Sequence, residues 1–242
     1  MRRPLLAAAA GALLLAVVAG AAAYAYFFSN LRSTPTALAL PTPSSSPQVS
    51  ASPAGSTATL AGSWSVATGS VAGYRVKEQF AGQTLPHEAV ARTSGVSGGA
   101  TVTEVGSGYQ VTGLQFTAQL SGLKSQDTVV GFNVVQRDRI VSQTLSVGQY
   151  PTASFAADPI TLPAAVDSGQ QTALNVPGRL TVHGVTQPVT VAVQVQLAGG
   201  QMQAAGSTSF DMTQFGIRKP TQPFVTPEST VTLEFQLVLA KT

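Results

Sequence analysis

The feature that most constrains the fold is an alternation of apolar and polar residues that recurs from residue 60 to the end of the chain. In the runs 189–197 and 231–239, every second position holds Val, Leu or Phe. Weaker versions of the pattern occur at 74–80, 114–120 and 202–210. A period of two places the apolar side chains on one face of a β-strand. The sequence therefore predicts an all-β domain built from many strands, each with one buried face.

Such strands must bury their apolar faces against one another, either in a sandwich or in a closed barrel. Gly199-Gly200 separates two of the runs and predicts an antiparallel hairpin. Helical periodicity is scarce, and its best candidate is a short stretch within 126–145. A barrel of about eight strands is wide enough to hold a small ligand. An inward Val or Phe can equally be core packing, so a hollow barrel and a solid one both remain open.

The N-terminus carries an apolar run of a different kind. Arg2 and Arg3 precede an uninterrupted apolar stretch over residues 5–28, and a helix needs about 20 such residues to cross a bilayer. The aromatic residues at 24–28 are typical of a membrane interface. We therefore predict a membrane anchor over residues 1–32, with a cytoplasmic N-terminus by the positive-inside rule. The alternative is a cleaved signal peptide, for which the alanines at 21–23 offer a site; the protein would then be secreted or periplasmic.

The next segment, residues 33–59, contains five prolines among Ser, Thr and Ala, and it has no charged residue. This composition is typical of a disordered, extended linker. Residues 60–242 remain as one domain, which is long enough to bury its own core without a disulfide. The sequence thus predicts an anchor, a linker and an extracytoplasmic domain. We expect the domain to be monomeric.

Charge and cysteine content exclude several classes of function. The chain has 13 basic and 10 acidic residues, and three of the basic ones, Arg2, Arg3 and Arg32, flank the apolar run. The domain itself is therefore neutral, which argues against a nucleic-acid partner. There is no cysteine, so disulfides, thiolate metal sites and cysteine nucleophiles are excluded.

No motif for catalysis or metal binding is present. The two histidines, His87 and His183, are not spaced as metal ligands. The chain contains no Gly-x-Ser-x-Gly motif and no phosphate-binding glycine loop. We predict a protein that is not an enzyme and uses no metal or cofactor. A hydrolase that uses His183 is the disfavoured alternative.

The densest charge cluster of the domain is Arg137-Asp138-Arg139. One interpretation is a polar gate, formed by Arg137 and Asp138, at the mouth of a pocket. The other is a solvated turn or helix end with a local salt bridge.

Several short motifs carry a family resemblance. They are GSWSV at 62–66, GYRVKE at 73–78, Arg137-Asp138, YPTASF at 150–155, GRLTVHGVTQPV at 178–189 and FGI at 215–217. In this order the set resembles the YceI-like family, also called polyisoprenoid-binding or lipocalin-like periplasmic proteins. The chain departs from the family's common pattern in the second strand, where many members have histidine and this chain has Glu78-Gln79, and at Gln214, where many members have aspartate.

The resemblance implies an extended antiparallel, lipocalin-like β-barrel whose apolar interior takes up an isoprenoid or other lipid-like chain, without catalysis. The alternative is a membrane-anchored cell-envelope interaction or stress-related module with a solid barrel. The strand faces and the resemblance together predict a set of ligand-binding residues. They are Tyr74, Val76, Phe80, Leu114, Phe116, Phe155, Phe210 and Phe235.

Overall fold

The computed structural model describes residues 15–22, 24, 32–40, 60–82, 85–129 and 133–242. Most of the apolar run 5–28 and residues 41–59 of the predicted linker lie outside these ranges. Residues 15–22 are helical. Within the described ranges, no helix is both long enough and apolar enough to cross a bilayer.

The regular elements of the described chain are mostly strands. The strands are β1 Arg32–Ser33, β2 Gly62–Val66, β3 Val71–Phe80, β4 His87–Thr93, β5 Val96–Val105, β6 Gly108–Gln119, β7 Lys124–Ser125, β8 Thr128–Val129, β9 Thr152–Ala157, β10 Ile160–Pro163, β11 Thr172–Val182, β12 Val185–Ala198, β13 Gln201–Asp211 and β14 Val225–Lys241. The helix α1 is Val134–Thr144, and short 3₁₀ segments are Leu120–Gly122, Ala164–Ser168 and Met212–Phe215.

The strands form an antiparallel barrel with eight walls. Three walls consist of two successive strands each: β2 with β3, β4 with β5, and β9 with β10. The other five walls are β6, β11, β12, β13 and β14. Each wall pairs with the next one along the chain. β14 then pairs with β13 on one side and with β2 and β3 on the other, which closes the barrel. The predicted all-β antiparallel barrel is thus confirmed.

The predicted hairpin between β12 and β13 is also confirmed. Ala198 pairs with Gln201 across Gly199 and Gly200, and both glycines have positive φ, at 59° and 76°. A two-residue turn of this kind needs a left-handed backbone at both positions, which only glycine adopts without strain.

The two ends of the barrel are closed differently. At one end, called here the α1 end, β6 and β9 are joined by the long connection that contains α1. This helix lies inside the predicted range 126–145, and Asn133 caps it by accepting hydrogen bonds from the backbone N–H groups of Val135 and Gln136. At the other end, Trp64 and Leu162 pack in an apolar cluster with Val166 of a 3₁₀ segment. The core of the protein therefore lies between α1 at one end and the apolar cluster around Trp64 at the other.

Residues 34–40, called here the belt, lie across the outer surface of the barrel. Just before them, β1 pairs with β8. The Nη2 group of Arg75 donates a hydrogen bond to the carbonyl of Pro35 at 2.7 Å, and Nη2 of Arg92 donates to the carbonyl of Thr36 at 2.6 Å. A part of the predicted linker is therefore in contact with the barrel wall.

A buried carboxylate, Glu234 on β14, connects the belt to the wall. It accepts hydrogen bonds from Arg75 at 2.6 Å and from Arg92 at 2.9 Å. It also accepts one from the backbone N–H of Leu38 in the belt, at 3.1 Å. Only 1% of Glu234 is exposed, so its charge is balanced by the two arginines rather than by water.

Glu234→Gln should therefore lower the free energy of unfolding by about 3–5 kcal/mol, because it leaves the buried Arg75 and the partly buried Arg92 without their shared counter-charge. Denaturant unfolding of the variant and the wild type measures this loss. The matched control is Glu104→Gln at an exposed position of β5, which should change stability by less than about 0.5 kcal/mol. Equal effects of the two substitutions would contradict a structural role for the Glu234 cluster.

Candidate ligand cavity

The interior of the barrel contains an apolar cavity of about 280 Å³. Inward-facing side chains of every wall line it, and residues of α1 and the following turn reach it at the α1 end. Pockets that bind small ligands have volumes of roughly 300–1,000 Å³, so this cavity is close to the lower end of that range. An apolar cavity of such size is suited to an apolar guest rather than to water.

Seven of the eight predicted ligand-binding residues line the cavity. They are Tyr74, Val76, Leu114, Phe116, Phe155, Phe210 and Phe235. The sequence also predicts Phe80 in this set, but Phe80 packs with Val129 and Val225 in a separate apolar cluster. It shares a face with Tyr74 and Val76, yet it lies past the α1 end of the cavity. The alternating pattern predicts on which face of a strand a residue lies, but it does not predict where along that face the cavity ends.

Four buried charged or polar side chains form a polar cluster at the α1 end: Glu78, His87, Asp127 and Arg137. Asp127 accepts hydrogen bonds from Arg137 and from the backbone N–H of Val90, and its Oδ2 lies 2.7 Å from Nε2 of His87. Arg137 also approaches Oε2 of Glu78 at 3.4 Å. All four side chains are at least nine-tenths buried.

The predicted polar gate is therefore only partly assembled. Arg137 is buried beside Glu78, a cavity-lining residue, so it does not belong to a solvated turn; it lies near the start of α1 and forms salt bridges with Glu78 and Asp127. Asp138 does not line the cavity and accepts hydrogen bonds from the backbone N–H and the hydroxyl of Ser125, at 3.0 and 2.6 Å. Arg137 and Asp138 nevertheless meet at Ser125, because its hydroxyl also accepts a hydrogen bond from Nε of Arg137 at 3.2 Å.

The two acids of the polar cluster are shifted in opposite directions. Burial raises the pKa of Glu78, although the positive charge of Arg137 opposes this. Burial would also raise the pKa of Asp127, but hydrogen bonds from His87 and Arg137 outweigh it and lower that pKa to about 2. Asp127 is thus the ionised partner of Arg137, and Glu78 is the acid that takes up a proton more readily. Burial also raises the pKa of Tyr74, so its phenol stays neutral.

Sequence reasoning missed three members of the polar cluster. Glu78 could have been found, because it occupies the inward face of β3 two residues after Val76. His87 is directly opposite Glu78 on β4, but only the strand register shows this. Asp127 belongs to the irregular connection before α1, where no periodicity exists to place it.

His183 has the surroundings of a structural residue. Its Nδ1 lies 3.3 Å from the carbonyl of Phe215, its Nε2 lies 3.3 Å from the hydroxyl of Ser146, and its ring packs edge-on against Tyr150. Among the described residues, no carboxylate hydrogen-bonds to this ring. The described part of the chain also contains no group of three or more residues able to hold a metal ion.

The fold and the cavity define a class of protein: closed antiparallel barrels with an apolar interior. Residues 50–239 match the model of the YceI-like domain, and the chain belongs to this family.

Similar proteins agree with this assignment. The chain is 31% identical over 110 residues to a UPF0312 protein of Pseudomonas syringae pv. tomato, covering 42% of this chain and 54% of the relative. It therefore spans about half the length of the curated relatives it matches. Among solved structures, it resembles a polyisoprenoid binding domain from Saccharophagus degradans implicated in plant cell wall breakdown. That similarity has a TM-score of 0.50 at 14% identity and covers 74% of this chain and 98% of the other; it shows the fold.

Acid should remove the contribution of Asp127 to stability. Because its folded-state pKa is lowered to about 2, this contribution is present above the unfolded pKa of about 4 and is lost as the pH falls through about 2. Asp127→Asn should cost about 3–5 kcal/mol at pH 7, since it leaves Arg137 buried without its main partner. Thermal unfolding measured from pH 7 to pH 2 should show that the difference in stability between variant and wild type becomes smaller below about pH 4. A difference that stays constant over this range would contradict the assignment.

Proposed function

We propose that this protein binds and carries a long apolar ligand, an isoprenoid or another lipid-like chain, without catalysis. The observation that carries the proposal is the apolar cavity inside the barrel, to which every wall contributes side chains. The name of the Saccharophagus degradans relative, a polyisoprenoid binding domain, supports the same chemistry.

The energetics of such binding need little polar chemistry. Transfer of each CH₂ group from water to an apolar interior contributes roughly 0.8 kcal/mol. Phe116, Phe155, Phe210 and Phe235 present rings to the cavity, while Ala153 and Ala204 leave space between them. A chain of several isoprene units would therefore be held mainly by its hydrocarbon surface.

Filling the cavity should abolish ligand retention. Ala204 lies on the inward face of β13 and lines the cavity, so Ala204→Phe should occupy the space of the guest. The matched control is Ala192→Phe at an exposed position of β12. Organic extraction of the purified full-length protein, followed by mass spectrometry, should recover an apolar molecule from the wild type and from the control but not from Ala204→Phe.

The opposite result would favour the second function. If the wild type contains no lipid and binds no fluorescent isoprenoid analogue, the carrier proposal is wrong. A barrel that acts as a cell-envelope interaction module would then be the better description.

We further propose that the barrel is held outside the cytoplasm by a single membrane-spanning segment over residues 5–28. The support is the sequence: the length of the apolar run, Arg2 and Arg3 before it, and the aromatic residues at its end. Carbonate-washed membranes should retain the full-length protein, and external protease should degrade the barrel in cells with a permeabilised envelope. A shortened protein released from the membrane fraction would instead indicate a cleaved signal peptide and a periplasmic or secreted domain.

A further inference from the structure

Two polar groups of β3, the buried carboxylate of Glu78 and the half-buried phenol of Tyr74, border the apolar cavity with unused hydrogen-bonding capacity. Only 6% of Glu78 is exposed, and its Oε2 has a long contact of 3.4 Å with Arg137. In the part of the chain that the structure describes, Oε1 of Glu78 has no hydrogen-bond partner, and neither does the hydroxyl of Tyr74. Buried polar atoms are nearly always satisfied, so Oε1 of Glu78 points to a bound polar partner, and the hydroxyl of Tyr74 is available to the same partner.

Both groups act at the same end of the cavity. Tyr74 and Glu78 lie on the same face of β3, separated by the inward-facing Val76, and all three line the cavity. Tyr74 packs against the apolar cluster that contains Val76 and Ala89, and Leu145, the residue after α1, packs against the same cluster; the ring of Tyr74 therefore lies toward the α1 end. The rest of the lining is almost entirely apolar. A guest inside the barrel would therefore meet a hydrocarbon environment along its chain and a polar one at the α1 end.

The charges around this end disfavour an anionic guest. The acids Glu78 and Asp127 share Arg137, and His87 contacts Asp127. Among the described residues, no Lys or Arg lines the cavity itself. A phosphate or carboxylate would bring further negative charge beside Glu78 in a poorly solvated space, where charge repulsion is strong. A cationic guest would meet a Glu78 carboxylate that already faces Arg137, and it would lose its own hydration.

We propose that the α1 end of the cavity is a recognition site for the uncharged, hydroxyl-bearing head of an apolar chain, that is, a long-chain alcohol or phenol. The head donates a hydrogen bond to Glu78 and accepts one from the hydroxyl of Tyr74. This site rests on the proposed carrier function and adds to it a choice among ligands: the hydrocarbon chain supplies affinity, and the two residues of β3 select the head.

The test compares probes that share one chain and differ in the head. The full-length protein is stripped of lipid, and farnesol, farnesyl phosphate, farnesylamine and the hydrocarbon farnesene each compete against a fluorescent isoprenoid analogue. We expect farnesol to bind at least tenfold more tightly than the phosphate or the amine, and several-fold more tightly than farnesene. Equal or tighter binding of the phosphate or the amine would overturn the proposal.

Variants assign the selectivity to its residues. Tyr74→Phe should weaken farnesol binding about fivefold and leave farnesene binding unchanged, because it removes one hydrogen bond and little volume. Glu78→Gln should reduce the discrimination against farnesyl phosphate, because it removes the repelling charge. The control Tyr150→Phe makes the same chemical change at a tyrosine that does not line the cavity, and it should change neither affinity.

The outcomes separate this site from the carrier function. If farnesol and farnesene bind equally well and Tyr74→Phe has no effect, water satisfies the two groups and the head-recognition site does not exist, although the carrier function stands. If neither the fluorescent analogue nor any of the probes binds, both the head-recognition site and the carrier function are wrong.

Discussion

The pairing of β14 with both neighbours is the interaction on which the rest of the structure depends. β14 extends over Val225–Lys241, pairs with β13 along one edge, and follows β3 and then β2 along the other. Without it, β13 and β3 would be open sheet edges, which are prone to pairing with other chains. Closure also turns one sheet face into an interior. The cavity, the inward polar cluster and the outer surface that carries the belt all follow from this single set of hydrogen bonds.

Once the sheet is closed, neighbouring residues of one strand serve opposite surfaces. Tyr74 faces the cavity, whereas Arg75 faces outward and donates hydrogen bonds to Glu234 and to the belt. The acidic partners are divided in the same way between the two faces of the wall. Glu78 pairs with Arg137 on the inner face, and Glu88 pairs with Arg75 on the outer face. The wall therefore carries two buried ionic groups, one per face. Each has both signs of charge, which limits the cost of removing those charges from water.

The sequence predicts the fold well because alternation is a local signal. The runs 189–197 and 231–239 show which side chains share a face, and seven of eight predicted lining residues lie where the pattern puts them. The failures involve long-range contacts. Phe80 has the right face but lies beyond the cavity. Asp138 binds Ser125 instead of lining the cavity, and Asp127 belongs to a connection without periodicity. The belt has the composition of a linker, and its docking depends on Arg75, Arg92 and Glu234, the last of which is 196 residues from Leu38.

The belt has a mechanical consequence. It crosses the wall between the N-terminal segment and β2, so a force on the chain ahead of residue 32 reaches the belt before it reaches the barrel. β1 and the hydrogen bonds at Pro35, Thr36 and Leu38 would detach one after another. Each broken contact would allow a few more residues of the chain to extend. Under a pulling force, the contacts of the belt would therefore break first, and the closed barrel and its contents would stay intact.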